Sequence, residues 1–156
     1  MFQYFEKTLA VFYTDYGRGT SIAFSRDAGN TWIRHKDNPV LPMPEDRRDR
    51  DALVFWYKPD QSWRMVLYEK PGFTFYKSEN LLDWELLSKL EGFHECPDFF
   101  RLPVDGNQDN YKWVLINGNG LYLLGEFDGT EFIPESDNKT VDFGNLYATQ
   151  TWKHSY

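Results

Sequence analysis

Two acidic residues stand where the sequence predicts the starts of two equivalent strands: Asp51 in "RDRDALVFW" and Glu95 in "HECPDFF". Acidic residues are depleted in strands, and a carboxylate is costly to bury without a partner. Carboxyl groups that converge on one pocket are what cleavage of a glycosidic bond requires, because one protonates the leaving oxygen while others hold or attack the sugar. Among 24 acidic residues, however, any two at strand starts are more often solvated or turn-forming than catalytic.

Short strands are the elements that must position these acids. Apolar and aromatic runs recur between Gly, Pro, Asn and Asp, and no window keeps a helical period for three turns. Aromatic residues make up 19% of the chain, which suits packed, pleated surfaces. The sequence therefore predicts an all-β protein. The predicted strands cover residues 8–14, 21–25, 51–57, 63–69, 73–78, 98–102, 111–117, 121–127 and 146–152.

The strand pattern itself repeats. "ALVFWYKPDQSWRMVLYEKPGFTFYKSENLLDWE" and "DFFRLPVDGNQDNYKWVLINGNGLYLLGEFDGTEF" share an apolar strand, a polar turn, a Trp-led strand and an aromatic strand. Repeats of about 40 to 50 residues with three or four strands each are typical of β-propeller blades. A plain antiparallel sandwich is the alternative fold.

One hairpin has a sequence signature of its own. "SRDAGNTW", residues 25–32, predicts a turn in which Asp27 accepts hydrogen bonds from turn amides and Gly29 supplies a positive φ. This signature indicates a fold and carries little information about activity.

Charge and composition exclude several kinds of partner. The formal charge of −7 argues against nucleic acid, which needs clustered Lys and Arg. One cysteine and three scattered histidines predict no disulfide within the chain, no metal site and no cofactor. Neither an export signal nor a membrane-spanning run is evident, so the default expectation is a cytoplasmic chain that does not bind membranes.

At the level of whole segments, "RDALVFW" and "HECPDFFRLPVDGN", followed by "KWVL" and "LYLLGEFDGTEF", resemble glycoside hydrolase family 32. This family comprises invertases, levanases, inulinases and sucrose-6-phosphate hydrolases. The resemblance implies a five-bladed β-propeller, here incomplete, with about three blades of four-stranded antiparallel sheet. The implied division is a partial second blade at 1–40, the third blade at 50–90, the fourth at 95–136 and the start of the last at 141–156.

The resemblance also implies roles for particular residues. It implies a retaining β-fructosidase that cleaves terminal fructosyl bonds in sucrose, levan or inulin. Glu95 falls on the acid/base of this family, Asp51 on the carboxylate that stabilises the transition state, and Arg50 on the neighbouring arginine. Further substrate contacts are expected from Cys96, Tyr147 and His94, although His94 also fits a space-filling role.

An acid that protonates a leaving oxygen needs a raised pKa. Cys96 and the two phenylalanines that follow predict a poorly solvated setting, so we expect the pKa of Glu95 to be raised. Two departures from the family pattern stand nearby. Ala52 replaces the proline of an Arg-Asp-Pro motif, and the spacing between Gly144 and Tyr147 is one residue shorter than expected.

The nucleophile of this family lies in a Trp-Met-Asn-Asp-Pro-Asn segment of the first blade, and no Asn-Asp-Pro occurs here. The sequence thus predicts that the chain holds no nucleophile and does not hydrolyse fructosides alone. If it did, Asp49 and Asp98 would be the first candidates for a substitute. The alternative function is a non-catalytic module that binds carbohydrate or self-associates through open blade edges.

Overall fold

A computed structural model describes residues 8–152, which fold into antiparallel β-strands with one short 3₁₀ turn at Lys58–Asp60. The predicted all-β class is confirmed. The strands are β1 (Leu9–Asp15), β2 (Gly19–Ser25), β3 (Ile33–Arg34), β4 (Leu41–Pro42), β5 (Arg50–Tyr57), β6 (Ser62–Glu69), β7 (Gly72–Ser78), β8 (Glu85–Glu91), β9 (Asp98–Val104), β10 (Asn107–Ile116), β11 (Leu121–Phe127), β12 (Phe132–Pro134) and β13 (Lys139–Thr140).

The strands form three sheets that follow one another along the chain. The first has the order β1-β2-β3 with β4 also paired to β2, the second β5-β6-β7-β8, and the third β9-β10-β11-β12 with β13 also paired to β11. Each sheet is a meander of neighbouring antiparallel strands, which is the construction of a propeller blade. The predicted incomplete propeller is confirmed.

The sheets do not stop where the predicted blades stop. The first sheet runs to Pro42 and the third to Thr140. Residues 141–152 form no strand, so the strand predicted at 146–152 is wrong: no described strand pairs with this segment. Residues 1–7 of the first predicted blade and 153–156 of the last lie outside the described residues.

The fourth strand of the second sheet is an element that the apolar runs did not predict. β8 carries Glu85, Lys89 and Glu91 and is mostly exposed. Charged side chains on an edge strand are a common protection against pairing with other chains. Because of these charges, β8 does not form an apolar run and was not predicted as a strand. Within residues 8–152 no helix is long and apolar enough to span a membrane.

Aromatic side chains fill the space between the second and third sheets. Phe99 stacks on Trp113 with ring centroids 4.6 Å apart, and Phe75 and Phe127 meet Phe99 edge-on. Phe99 is almost fully buried. Truncation of such a side chain costs about 3–5 kcal/mol, so Phe99→Ala is expected to loosen the contact between these blades.

A β-bulge interrupts β5, the first strand of the second sheet. Arg50 pairs with Tyr68 whereas Leu53 pairs with Val66, so β5 carries one extra residue between these pairs. Asp51 lies in this bulge with φ of 62°. Because bulges change the direction of a side chain, the irregularity turns Asp51 toward the residues that precede β9.

Candidate active site

Glu95 lies in a bend three residues before β9 begins. Its φ is 25° and that of Cys96 is 47°, a region that non-glycine residues seldom occupy and that costs about 1–3 kcal/mol each. The turn between β10 and β11 supports this bend, since the Gly118 amide donates to the Glu95 carbonyl at 2.8 Å. A Cβ on Gly118 would stand 3.1 Å from Cγ of Glu95, which leaves little room for any other residue there.

Arg50 connects the two acids. Its Nε and Nη2 donate to Oε2 of Glu95 at 3.1 and 2.5 Å, and Nε lies 3.6 Å from Oδ2 of Asp51. Oε2 of Glu95 and Oδ2 of Asp51 are therefore close to each other, because both lie near the same Nε atom of Arg50. The Arg50 guanidinium also lies over the ring of Tyr68, 4.6 Å from its centroid. This stacking favours one orientation of the guanidinium plane.

Asp51 is held from a second side by Cys96. Its Oδ2 accepts the Cys96 amide at 3.1 Å and lies 3.5 Å from the thiol sulfur. Burial raises the pKa of the Cys96 thiol to about 11, and the negative charge of Asp51 adds to this effect. Cys96 is therefore a neutral thiol at physiological pH, and it fits a positioning role better than a nucleophilic one.

Tyr147 and His94 contact Oε1, the other carboxylate oxygen of Glu95. The Tyr147 hydroxyl donates to Oε1 of Glu95, and this bond raises the pKa of Tyr147 to about 12. Nδ1 of His94 lies 3.5 Å from the same oxygen, and its ring packs 5.1 Å from that of Tyr68. All six residues singled out in the sequence thus lie in one cluster.

The environment of Glu95 corrects one expectation. Hydrogen bonds from Tyr147 and then from Arg50 lower the pKa of Glu95, so the predicted rise is wrong for this structure. Phe99 does not desolvate the acid, because it packs into the core between the second and third sheets. Donors that favour the charged form outweigh burial, although the Glu95 side chain is only 15% exposed.

Asp49 and Asp98 accept hydrogen bonds from residues outside this group of six. Asp49 is 4% exposed and paired with Arg47, and burial raises its pKa. Asp98 is fully buried and accepts the Thr151 amide at 2.6 Å through Oδ2. Neither residue lines the cavity described next.

A cavity of about 270 Å³ opens beside Asp51 and Cys96. Its other lining residues are Ala52, Leu53, Pro97, Ala148 and Gln150. Among the described residues, no group of three or more His, Cys, Asp or Glu side chains is arranged to hold a metal ion. Sequence reasoning missed Gln150 and also Tyr68, because no local signal tells which aromatic residue of β6 the bulge leaves beneath Arg50.

Two carboxylates joined by one arginine, at the starts of the first strands of neighbouring sheets, fit the chemistry of glycosidic-bond cleavage. The comparison with known families gives the same class. The model described as "Glycosyl hydrolases family 32 N-terminal domain" matches residues 2–156. The chain belongs to glycoside hydrolase family 32.

Individual relatives define the extent of the likeness. The chain is 40% identical over 171 residues to the levanase of Bacillus subtilis (strain 168), covering 94% of this chain and 25% of the levanase. Identity to an extracellular exo-inulinase of Aspergillus niger is 37% over 159 residues, covering 85% of this chain and 29% of the inulinase. The chain thus spans about a quarter to a third of these relatives.

A solved structure shows the same fold. The β-fructofuranosidase from Schwanniomyces occidentalis, complexed with fructosyl-erythritol, superposes with a TM-score of 0.77 at 28% identity. The match covers 90% of this chain and 31% of that enzyme. The three blades described above therefore correspond to part of a larger fructosidase fold.

Proposed function

We propose that this chain forms the part of a retaining β-fructosidase that supplies the acid/base Glu95 and the transition-state stabiliser Asp51. The substrates are terminal fructosyl bonds in sucrose, levan or inulin. The observation that carries the proposal is the arginine bridge, in which Arg50 contacts both carboxylates. The levanase and exo-inulinase relatives support the substrate class.

In the proposed reaction, a nucleophilic carboxylate that residues 1–156 do not supply bonds to the anomeric carbon, and protonated Glu95 donates its proton to the glycosidic oxygen as the glycosidic bond breaks. Asp51 faces the positive charge that develops on the fructosyl ring, and its contact with the Cys96 amide keeps the carboxylate in place. After the leaving group departs, Glu95 takes a proton from water, and the attack of this water on the fructosyl carbon breaks the ester bond to the nucleophile and releases fructose.

The lowered pKa of Glu95 must rise before it can act as an acid near neutral pH. A retaining mechanism supplies the cause, because the nucleophile is a further carboxylate within several ångströms of the same bond. A like charge at that distance disfavours ionised Glu95 and raises its pKa. The family motif that carries the nucleophile does not occur in residues 1–156.

A second candidate role is self-association. Leu9 and Val11 on β1 are exposed, as are Phe143 and Trp152 after the third sheet. Apolar surface on strands favours pairing with a second copy. Sedimentation of residues 1–156 should then show a concentration-dependent dimer that the double substitution of Leu9→Lys and Val11→Lys weakens, whereas a monomer at all concentrations rejects this role.

The catalytic proposal is tested with a chimaera in which residues 1–156 replace the matching segment of the Bacillus subtilis levanase. The chimaera should release fructose from levan, and Glu95→Gln should lower the turnover by about 10²–10⁴-fold, the usual contribution of a general acid. Residues 1–156 alone should release no fructose above the Glu95→Gln background.

Two results would reject the proposal or one part of it, and a third would favour the alternative function. An active chimaera whose turnover is unchanged by Glu95→Gln removes the acid/base role. Hydrolysis by residues 1–156 alone that Glu95→Gln abolishes means that another carboxylate of this chain serves as the nucleophile. A folded but inactive chimaera that binds levan oligosaccharides favours the non-catalytic binding module.

A further inference from the structure

The segment of residues 144–151 carries Tyr147 to the acid although it forms no strand. Three hydrogen bonds connect this segment to the third sheet and to the residues next to it. The Ala148 amide donates to the Gly118 carbonyl at 2.8 Å, the Gln150 side chain to the Pro97 carbonyl at 3.3 Å, and the Thr151 amide to the Asp98 carboxylate at 2.6 Å. The position of residues 144–151 is therefore held by hydrogen bonds such as these and not by strand pairing in a sheet.

The contacts run in step along two stretches of chain. Glu95 meets Tyr147, Pro97 meets Gln150, and Asp98 meets Thr151. Asp98 is the rigid end of this series, because it is fully buried and its backbone pairs with Ile116 in the sheet. A hydrogen bond from an amide to a carboxylate is charge-assisted and shorter than a neutral one.

We propose that Asp98 is a positioning residue that anchors residues 144–151 to the third sheet, so that the Tyr147 hydroxyl reaches Glu95. Asp98 follows Pro97, one of the residues that line the cavity. It acts through Thr151 and the main chain between Thr151 and Tyr147. Gln150 is a second and weaker point of attachment.

The anchor has a consequence for the charge of the acid. The groups that face Glu95 are Arg50, His94 and Tyr147, with Asp51 and Cys96 adjoining them. Of these, Tyr147 is the one carried by the anchored segment, and its bond favours ionised Glu95. The effect on hydrolysis rests on the proposed function, whereas the anchoring itself does not.

The test is the carboxyl titration of Glu95 in residues 1–156, followed by NMR with ¹³Cδ-labelled glutamate and assigned with Glu95→Gln. Tyr147→Phe should raise the pKa of Glu95 toward its ordinary 4.5. Asp98→Ala should raise it in the same direction. The double variant should titrate like Tyr147→Phe alone, because two substitutions that break one contact are not additive.

A matched control is Asp128→Ala, which removes an aspartate that also accepts amides, from Thr130 and Glu131, in a turn of the same blade. It should leave the titration of Glu95 unchanged. Gln150→Ala changes an exposed side chain and should give a smaller rise, so the proposal stays testable if Asp98→Ala does not fold.

A pKa of Glu95 that stays at the wild-type value in both Asp98→Ala and Gln150→Ala overturns the anchor. So does a double variant in which the two rises add. These titrations involve no hydrolysis, so an inactive chimaera rejects the proposed function without affecting them. Conversely, an unchanged titration beside a strong Glu95→Gln effect on turnover rejects only the anchor.

Discussion

Asp27 and Glu95 both lie in turns, and hydrogen bonds lower the pKa of each carboxyl group, yet their donors come from different distances along the chain. Asp27 accepts from the Thr31 hydroxyl and amide and from Ser25, all within four residues. Glu95 accepts from Arg50 and Tyr147, which are 45 and 52 residues away.

The turn between β7 and β8 shows how local the contacts of the Asp27 kind are. In "SENLLDW", Asn80 takes the place of the aspartate and accepts the amides of Leu82 and Asp83 at 2.9 Å. The Trp84 indole donates to the Leu81 carbonyl at 3.1 Å, as that of Trp32 does to Gly29. Any short acceptor closes such a turn, because its donors are supplied by the turn itself.

The difference teaches which carboxylates are available for chemistry. The donors of Asp27 are bonded into its own hairpin, and their arrangement is complete without the rest of the molecule. The donors of Glu95 are side chains from two other parts of the fold, and a substrate can exchange with them. A carboxylate with remote side-chain donors is therefore the better candidate for a site.

The largest expected difference between the two classes is in turnover. In the levanase chimaera, Asp51→Asn should lower kcat/KM by about 10²–10³-fold, because the amide cannot stabilise positive charge in the transition state. Asp27→Asn should leave kcat/KM within about twofold, since the hydrogen bonds that it changes lie within the hairpin of residues 25–32. Fructose release from levan measures both. Equal losses in the two variants would show that the outer turn also serves catalysis.

The next largest effect concerns Cys96, the single cysteine of the chain. A thiol pKa of about 11 in place of 9.0 reduces the thiolate at pH 8 on the order of 100-fold. Alkylation by iodoacetamide should therefore be slow in the folded chain and should recover in urea. Asp51→Asn should accelerate it in the folded state. Equal rates with and without urea would mean that the tertiary contact with Asp51 does not protect the thiol.

Arg50→Gln tests the remote donors of Glu95 directly. The variant should raise the pKa of Glu95 toward 4.5, because one of its two main donors is lost. Ionised Glu95 stabilises the wild-type fold above pH 4.5, and this contribution is lost as the pH falls through its lowered pKa. The loss should be smaller in Arg50→Gln.

The titration of Glu95 by NMR and the pH dependence of urea unfolding measure these effects. Arg48→Gln is the matched control, since the Arg48 guanidinium donates to the carbonyls of Glu45 and Arg47, and its own carbonyl, which accepts from Arg50, is kept in the variant. A Glu95 titration that Arg50→Gln leaves unchanged contradicts the assigned bridge.

The smallest expected effect is in the local turn. The pKa of Asp27 is lowered to about 2, first by the Thr31 side chain, from an ordinary value of 3.8. Its ionised form therefore stabilises the fold fully above pH 3.8, and this advantage is lost as the pH falls toward 2. Asp27→Asn should lower the thermal midpoint by a few degrees at pH 6 and by less at pH 2. A difference that does not shrink with acid argues against the charge of Asp27 as its cause.

The sequence by itself determined most of the strands and the outer turn. Eight of the nine predicted strands overlap observed ones, because alternating apolar runs between turn residues need only local pattern and pleat geometry. The turn at Asp27 followed for the same reason, since every donor lies within four residues. The sequence also brought attention to Asp51 and Glu95 and, through the resemblance, to Arg50, Cys96, His94 and Tyr147.

The tertiary structure decided how these residues meet. The bulge in β5 redirects Asp51, the strained bend directs Glu95, and Tyr68 comes to lie beneath Arg50. The sign of the pKa shift at Glu95 depended on donors from Arg50 and Tyr147. Sequence pattern fixes which face of a strand is apolar, but the charge of a carboxylate depends on groups brought within hydrogen-bond distance by the packing of separate blades.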